Sequence, residues 1–263
     1  MYNFDYVKPG SVGDAVKALA AEDAQPISGG QTLLPTLKQR LGKPAALVDL
    51  TKIPGMAGIE VSADAVTIKG ATTHAAVAAH EGVRKAIPAL AHLAAHIGDP
   101  AVRNRGTIGG SVANNDPAAC YPSAVLALGA TVMTSAGDIA ADDFFQGMFS
   151  TALEPGAIVT GVKFPIPQKA AYQKFVQPAS RFALTGVFVA KFASGVRVAV
   201  TGASQSGVFR WTEAETALSA NFAPEAVEKL TVDASDMIGD IHGSPDYRAH
   251  LVKVMTKRAV AAA

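Results

Sequence analysis

The chain has 263 residues, 49% hydrophobic and 17% charged, with Lys+Arg 23 against Asp+Glu 22 for a formal charge of +1. This composition excludes a disordered chain and leaves ample core, and so small a net charge gives no field for nucleic acid or an anionic membrane. A single cysteine, Cys120, excludes an internal disulfide, a Cys-type zinc site and an iron–sulfur cluster held by four thiolates of this chain.

The first residues lack the basic stretch and apolar core of a signal peptide. The longest apolar run, 123–133, is too short to cross a bilayer and contains Gly129. The simplest expected location is the cytoplasm. Residues 14–21 read as a helix and 25–28 as a short extended piece before Gly29-Gly30. Residues 32–41 follow as a helix, with Thr32 as cap, Pro35 in its first turn and Gly42 as its stop. Residues 46–50 and 65–69 are strand-like. Residues 74–97 are Ala-rich and helical, with a break near Ile87-Pro88 and an end at Gly98-Asp99-Pro100. The densest glycine cluster, Gly106-Thr107-Ile108-Gly109-Gly110, reads as a turn. A helix over 121–128 with Pro122 in its first turn is followed by strands over 130–134 and 158–164.

Pro165-Ile166-Pro167-Gln168 marks a boundary. Beyond it, 183–192 and 196–202 read as a hairpin around Ser194-Gly195. Helices over 212–219, 224–230 and 246–259 complete the chain. Ser244 caps the last, Pro245 opens it, and Tyr247, Leu251, Val254 and Met255 share one face. Strands followed by helices suggest an α+β second domain.

The sharpest chemical signal is a pair of glycine segments roughly 80 residues apart, Ser28-Gly29-Gly30-Gln31-Thr32 and Gly106-Thr107-Ile108-Gly109-Gly110-Ser111. Glycine lets a backbone approach a ligand, and successive N–H groups pointing into one concavity hold an anion. The first segment also opens a helix, whose N-terminus favours phosphate. Hydroxyls of Ser28, Thr32, Thr107 and Ser111 add donors, so the two segments could grip a diphosphate from both sides. Either alone is weak, because many glycines only make turns. Neither the G-x-G-x-x-G nor the G-x-x-x-x-G-K-[ST] signature is present.

Residues 27–35, I-S-G-G-Q-T-L-L-P, together with 99–110, D-P-A-V-R-N-R-G-T-I-G-G, and the continuation N-N-D-P-A at 114–118, resemble the hallmarks of the FAD-binding medium subunit of molybdenum-containing hydroxylases. Carbon monoxide dehydrogenase, xanthine dehydrogenase and related aldehyde dehydrogenases belong to that family. The resemblance runs from Phe4-Asp5-Tyr6, through Lys174 and Arg181-Phe182-Ala183-Leu184, to Gly243-Ser244-Pro245-Asp246-Tyr247-Arg248.

It implies an α+β protein. A two-lobed FAD-binding domain of the PCMH type would span 1–167, with lobes over about 1–55 and 56–167. A C-terminal domain, 168–263, would add an antiparallel sheet and a helical cluster. The resemblance further implies a noncovalent FAD whose diphosphate meets Ser28, Gly29, Gly30, Gln31 and Thr32 on one side. On the other it would meet Thr107, Ile108, Gly109, Gly110 and Ser111. Asn114 and Asp116 would line the ribityl chain or flavin edge, and Val159 and Lys174 the flavin region. Where many relatives carry an Asp that contacts the ribityl chain, this chain has Cys120. A thiol is a weak donor and a poor acceptor; its other reading is a small buried residue under a helix.

The implied role is an oxidoreductase subunit. Electrons would come from [2Fe–2S] clusters on a small partner chain, after substrate oxidation at a molybdopterin on a large one, and leave through FAD for an external acceptor. A dimer of such heterotrimers is the implied assembly. No side chain here need be a catalytic acid or base, and no metal is expected on this chain. A nucleotide-binding or regulatory module without redox turnover, or a self-sufficient flavin dehydrogenase, are the other readings. His92 and His96 have the spacing of a shared metal, but no Glu adjoins His92 and helices carry His for ordinary reasons. Arg103 and Arg105 read better as loop-holding than as phosphate ligands, and Trp211 and Phe209 as packing residues.

Overall fold

A computed structural model describes all residues, 1–263. The N-terminal lobe alternates β1 (Asp5–Val7), α1 (Val12–Leu19), β2 (Ala24–Ile27), α2 (Leu33–Lys38) and β3 (Ala46–Asp49). Its three strands are parallel in the order β1-β3-β2, with Tyr6 and Gln25 both beside Leu47. Val7, Ile27 and Asp49 therefore end their strands at one rim, the edge where α/β sheets bind ligands. Ser11 caps α1 by accepting from Asp14 N, and Ala15 and Leu19 bury its inner face.

The second lobe begins with β4 (Ile59–Val61) and β5 (Ala65–Lys69). Six helices follow: α3 (His74–Ala79), α4 (Glu81–Ala86), α5 (Pro88–Ala95), α6 (Pro100–Arg103), α7 (Ile108–Asn114) and α8 (Tyr121–Ala127). It closes with β6 (Thr131–Thr134), β7 (Gly137–Ala140), α9 (Ala141–Phe144), β8 (Phe145–Gly147), β9 (Ser150–Thr151) and β10 (Val159–Pro165). Its five-stranded antiparallel sheet runs β4-β5-β10-β6-β7. The last strand of the lobe is thus inserted at the centre, which fastens the lobe's start to its end.

After the Pro165–Gln168 connection come β11 (Lys169–Val176), β12 (Ala183–Phe192), β13 (Gly195–Thr201) and β14 (Phe209–Arg210), an antiparallel sheet in sequence order. Then follow α10 (Thr212–Ala220), a single 3-10 turn (Pro224–Val227) and α11 (Pro245–Ala262). Strand β12 is buried on both sides. Phe188 and Ala190 join the core around α5 and α8, while Val187 and Val189 join the core under α11. A strand covered on both faces carries a near-continuous apolar run rather than an alternation, and 183–190, buried throughout, departs from it only at Thr185. No helix is long and apolar enough to cross a membrane.

Several local expectations are corrected. The second glycine segment is the first turn of α7, capped by Thr107, whose hydroxyl accepts from Gly110 N. The helix expected over 74–97 is three helices. Besides the break at Ile87, His80 leaves helical geometry with ψ 119 and caps α4 through its ring nitrogen. Thr32 makes no side-chain cap bond. Of 224–230 only Pro224–Val227 is helical, as one 3-10 turn. Helix α11 buries Arg248, Leu251, Val252, Met255 and Ala259, so its inner face is rotated from the expected one and Tyr247 is 40% exposed. Strand β11, K-A-A-Y-Q-K-F-V, has a composition weak for a strand and is fixed instead by its ladder with β12 from Lys169 to Val176.

Candidate functional site

A groove of about 460 Å³ opens at the carboxyl rim of the parallel strands, between the two N-terminal lobes. Ser28, Gly29, Gly30 and Thr107 line it, so the structure brings the first glycine segment and the cap of the second to one place, while Ile108, Gly109, Gly110 and Ser111 are not in its wall. Ser28 Oγ lies 2.8 Å from Thr107 Oγ1. An ideal Cβ on Gly29 would stand 2.2 Å from Arg105 O and 2.6 Å from Gly106 Cα. Only glycine permits this crossing, and Gly30 needs its own freedom at φ +70.

The two segments treat their amides differently. The backbone N–H groups of Ser28, Gly29, Gly30, Gln31 and Thr32 have no acceptor within the chain. Gln31 and Thr32 are exposed beside the groove rather than in its wall. In the second segment Ile108 N donates to Thr72 O at 3.1 Å, and Gly109 N to Gly70 O at 2.9 Å. Gly110 N donates to Thr107 Oγ1, and Ser111 N to Thr107 O. Those amides are used inside the protein, so donors for an anion come from the first segment and from the hydroxyls. Gly109 is small for a different reason: a Cβ would lie 2.6 Å from Gly70 O. A Cβ on Gly110 would instead enter the gap beside Thr107 Oγ1, at 3.1 Å, and Ser28 Cβ, at 3.9 Å. The residues thus fit an anionic group: a run of unpaired amides stands at a groove lined by Ser28 and Thr107, and a Cβ at 110 would press on those same two residues.

The groove also contains residues that sequence reasoning missed. Tyr6 Oη donates to Asp49 Oδ2 at 2.6 Å, and Thr51 donates through both N and Oγ1 to Asp49 Oδ1. Burial pushes the Asp49 carboxyl up, but these hydrogen bonds and the Lys52 ammonium outweigh it and hold it below the usual carboxylate range. Lys52 and Arg105 bring positive charge to the same wall, and Phe4 an aromatic ring. The available signal was Asp49 itself, an acid closing the apolar run A-L-V at a strand end. Under Gly106 lies His74, whose Nε2 a Cβ there would approach to 2.6 Å. Burial, with the Arg103 guanidinium nearby, pushes His74 down to about 4, so the ring is neutral.

The remaining expected site residues lie away from this groove. Asn114 ends α7, and Asn115 turns the chain at φ 43 while its amide donates to Gly147 O and Ser150 O. Asp116 Oδ1 accepts from Ala118 N at 2.8 Å. Val159 is buried in β10, its carbonyl against Gly70. Lys174 reaches from β11 to His96 O at 2.5 Å, Arg181 O at 2.9 Å and Cys120 Sγ at 3.6 Å. Cys120 is 5% exposed in the core against α8. Arg103 holds the turn after α5 through Ile97 O and Gly98 O. The His92 and His96 rings are 4.1 Å apart, and His96 Nδ1 bonds to His92 O. Trp211 is packed in the C-terminal core.

Residues 2–167 match the family described as FAD binding domain in molybdopterin dehydrogenase. The chain is 35% identical to the nicotine 6-hydroxylase medium subunit of Paenarthrobacter nicotinovorans, over 97% of this chain and 95% of that one. It is 34% identical to the carbon monoxide dehydrogenase medium chain of Afipia carboxidovorans, over 98% and 96%. Among solved structures, quinoline 2-oxidoreductase from Pseudomonas putida 86 superposes with a TM-score of 0.89 at 31% identity, covering 100% of this chain and 97% of that one.

Proposed function

Since the chain belongs to the family of FAD-binding medium subunits of molybdenum-containing dehydrogenases and hydroxylases, we propose that it relays electrons from a partner's [2Fe–2S] clusters through FAD to an external acceptor. It is an oxidoreductase subunit and its own cofactor is FAD. Substrate oxidation takes place at the molybdopterin of a large partner subunit, and two such three-chain units pair in the cytoplasm. Residues 1–167 bind the cofactor and 168–263 cover its flavin end.

The observation that carries this reading is the run of five unpaired amides, Ser28 to Thr32, at the carboxyl rim of the parallel strands. These amides hold the diphosphate, with the Thr107 hydroxyl and the space over Gly110 completing the cradle. Ile108, Gly109 and Ser111 shape that cradle by fixing α7 against Gly70 and Thr72. Asn114 and Asp116 meet the ribityl part, and Val159 and Lys174 the flavin ring. When bound, FAD accepts electrons singly and delivers them singly or in pairs; the protein supplies binding, orientation and electrostatics.

Titrating the purified chain with FAD tests the reading. The expected result is one noncovalent FAD per chain, reduced by an oxidisable substrate only when the large and small subunits are present. A chain that takes up no FAD would indicate a module without redox turnover. Reduction by substrate without partners would indicate a self-sufficient dehydrogenase.

A further inference from the structure

We infer that Asp49 and Tyr6 form the adenosine end of the dinucleotide site: Asp49 accepts from the ribose hydroxyls, and Tyr6, held by Asp49, is the face on which the adenine ring rests. This rests on the FAD reading above and deepens it, by giving the β1–β3 end of the groove to one half of the cofactor.

Strands β2 and β3 are parallel neighbours joined through the first glycine segment and α2, which makes a β-α-β unit. In such units the glycine turn takes a diphosphate, and an acid about 20 residues on takes the adenosine ribose. Asp49 is at that place, closing β3 after Gly29-Gly30 and lining the same groove. Its Oδ1 is occupied by Thr51 N and Thr51 Oγ1, whereas Oδ2 accepts from Tyr6 alone and keeps an acceptor position for a further hydroxyl. Lys52 stands near the carboxylate, so the two together offer little net charge to phosphate. Arg105, in the loop whose backbone crosses Gly29, also lines the groove and makes no ion pair. The free cation and the unpaired amides hold the diphosphate, and the Asp49 end takes a neutral group.

Tyr6 supplies the surface for that group. It lies on the edge strand β1 beside Leu47, lines the groove and is 50% exposed. Its tip is tethered, because Tyr6 Oη donates to Asp49 Oδ2 at 2.6 Å and Asp49 is itself 4% exposed. The ring is thus preset at the groove while much of its apolar body stays in water, an arrangement that lowers the ordering cost of stacking a base. Phe4, the other aromatic ring of the wall, is instead packed against the core of Ile27, Leu37 and Leu47. The Lys8 ammonium, 5.5 Å from the Tyr6 ring centroid, is not part of the groove wall.

The test measures FAD binding to the full chain, with ADP and FMN as competitors, for the parent, Tyr6→Ala, Tyr6→Phe and Asp49→Asn. The inference expects Tyr6→Ala to weaken ADP and FAD alike, by about tenfold, and to leave FMN unmoved. Asp49→Asn should weaken the same two ligands, and Tyr6→Phe, which keeps the ring, should retain most of the parent affinity. FMN serves as the control because it shares the phosphate-binding amides and lacks adenosine. A merely structural role for the pair would weaken ADP and FMN together, and that result overturns the inference. So does an unmoved ADP affinity in Tyr6→Ala, a loss for FMN alone, or a Tyr6→Phe loss equal to that of Tyr6→Ala. Should FMN fail to compete even in the parent, equal melting temperatures of unliganded parent and Tyr6→Ala replace it as the control, and a lowered one overturns the inference. Should Asp49→Asn fail to fold, the two Tyr6 variants decide. A parent that binds FAD but lets ADP compete not at all overturns the inference alone; a parent that binds no FAD overturns the functional reading and the inference with it.

Discussion

Gly110→Val is expected to weaken FAD uptake strongly while the chain keeps its fold, and Gly109→Val to destabilise the fold itself. The two glycines are adjacent in α7 but meet different surroundings. At 110 the Cβ stands beside Thr107 and Ser28, both of which line the groove, so valine is expected to crowd the space proposed for the diphosphate. The structural loss there is confined to the Thr107 cap, about 1 kcal/mol. The loss of FAD affinity is expected to reach about 100-fold or more, roughly 2.7 kcal/mol. At 109 the Cβ would lie 2.6 Å from Gly70 O and 2.9 Å from Gly70 Cα. Backbone cannot turn aside as a side-chain tip can, so α7 must lift away from Gly70 and lose the Gly109 N to Gly70 O bond. Overpacking of this kind costs about 1–3 kcal/mol before the lost bond is added. Thermal melts and flavin absorbance of the two purified variants separate the cases. A folded Gly110→Val chain with parental FAD affinity would contradict the cradle.

Arg248→Met should be the most destabilising single change in the C-terminal region. The guanidinium is buried and donates at 2.7 Å to Leu184 O, to Gly202 O and to Asp240 Oδ2. Methionine fills a similar volume but takes a charged donor from the buried Gly202 O, leaves Leu184 O with the Thr185 hydroxyl, and leaves Asp240 without its partner. Breaking a buried pair in this way costs about 3–5 kcal/mol, or a fall in Tm of roughly 10 °C for a chain of this size. The damage should spread toward the proposed site. Gly202 N donates to Pro117 O at 2.7 Å, and Thr201 Oγ1 donates to Pro117 O and Ala119 O. Arg248 thereby steadies the strand end that grips the segment between Asp116 and Cys120. Asp240→Asn is the control: its carboxylate is 37% exposed, so its loss should cost much less. Equal melting temperatures for parent and Arg248→Met would show that the guanidinium does not hold this end of the sheet.

The first glycine segment was legible in the sequence because its signal is local: a strand, two glycines and a helix start, with hydroxyls on either side. The Ser244 cap and the hairpin at Ser194-Gly195 were legible for the same reason. What the sequence hid was set by distant partners. Gly29 and Gly109 are glycines because Arg105 and Gly70 cross them, a fact of tertiary approach that local pattern does not carry. The second segment therefore read as an anion-binding turn, although its amides at 108 and 109 are satisfied within the protein. Strand β11 exists through its ladder with β12 rather than through its own propensity. The Tyr6–Asp49 pair joins residues from two strands that become neighbours only in the parallel sheet. A charged residue at a core position breaks the apolar pattern of α11, so the face chosen from Tyr247, Leu251, Val254 and Met255 does not include the buried Arg248.

The most direct measurement is a crystal structure of the full chain with FAD bound. The diphosphate oxygens are expected at hydrogen-bond distance, about 2.7–3.2 Å, from the backbone nitrogens of Ser28 to Thr32, with Thr107 Oγ1 adjoining and Gly110 in contact. A diphosphate bound elsewhere, with those five amides left facing water, would contradict the assignment on which the proposed relay depends.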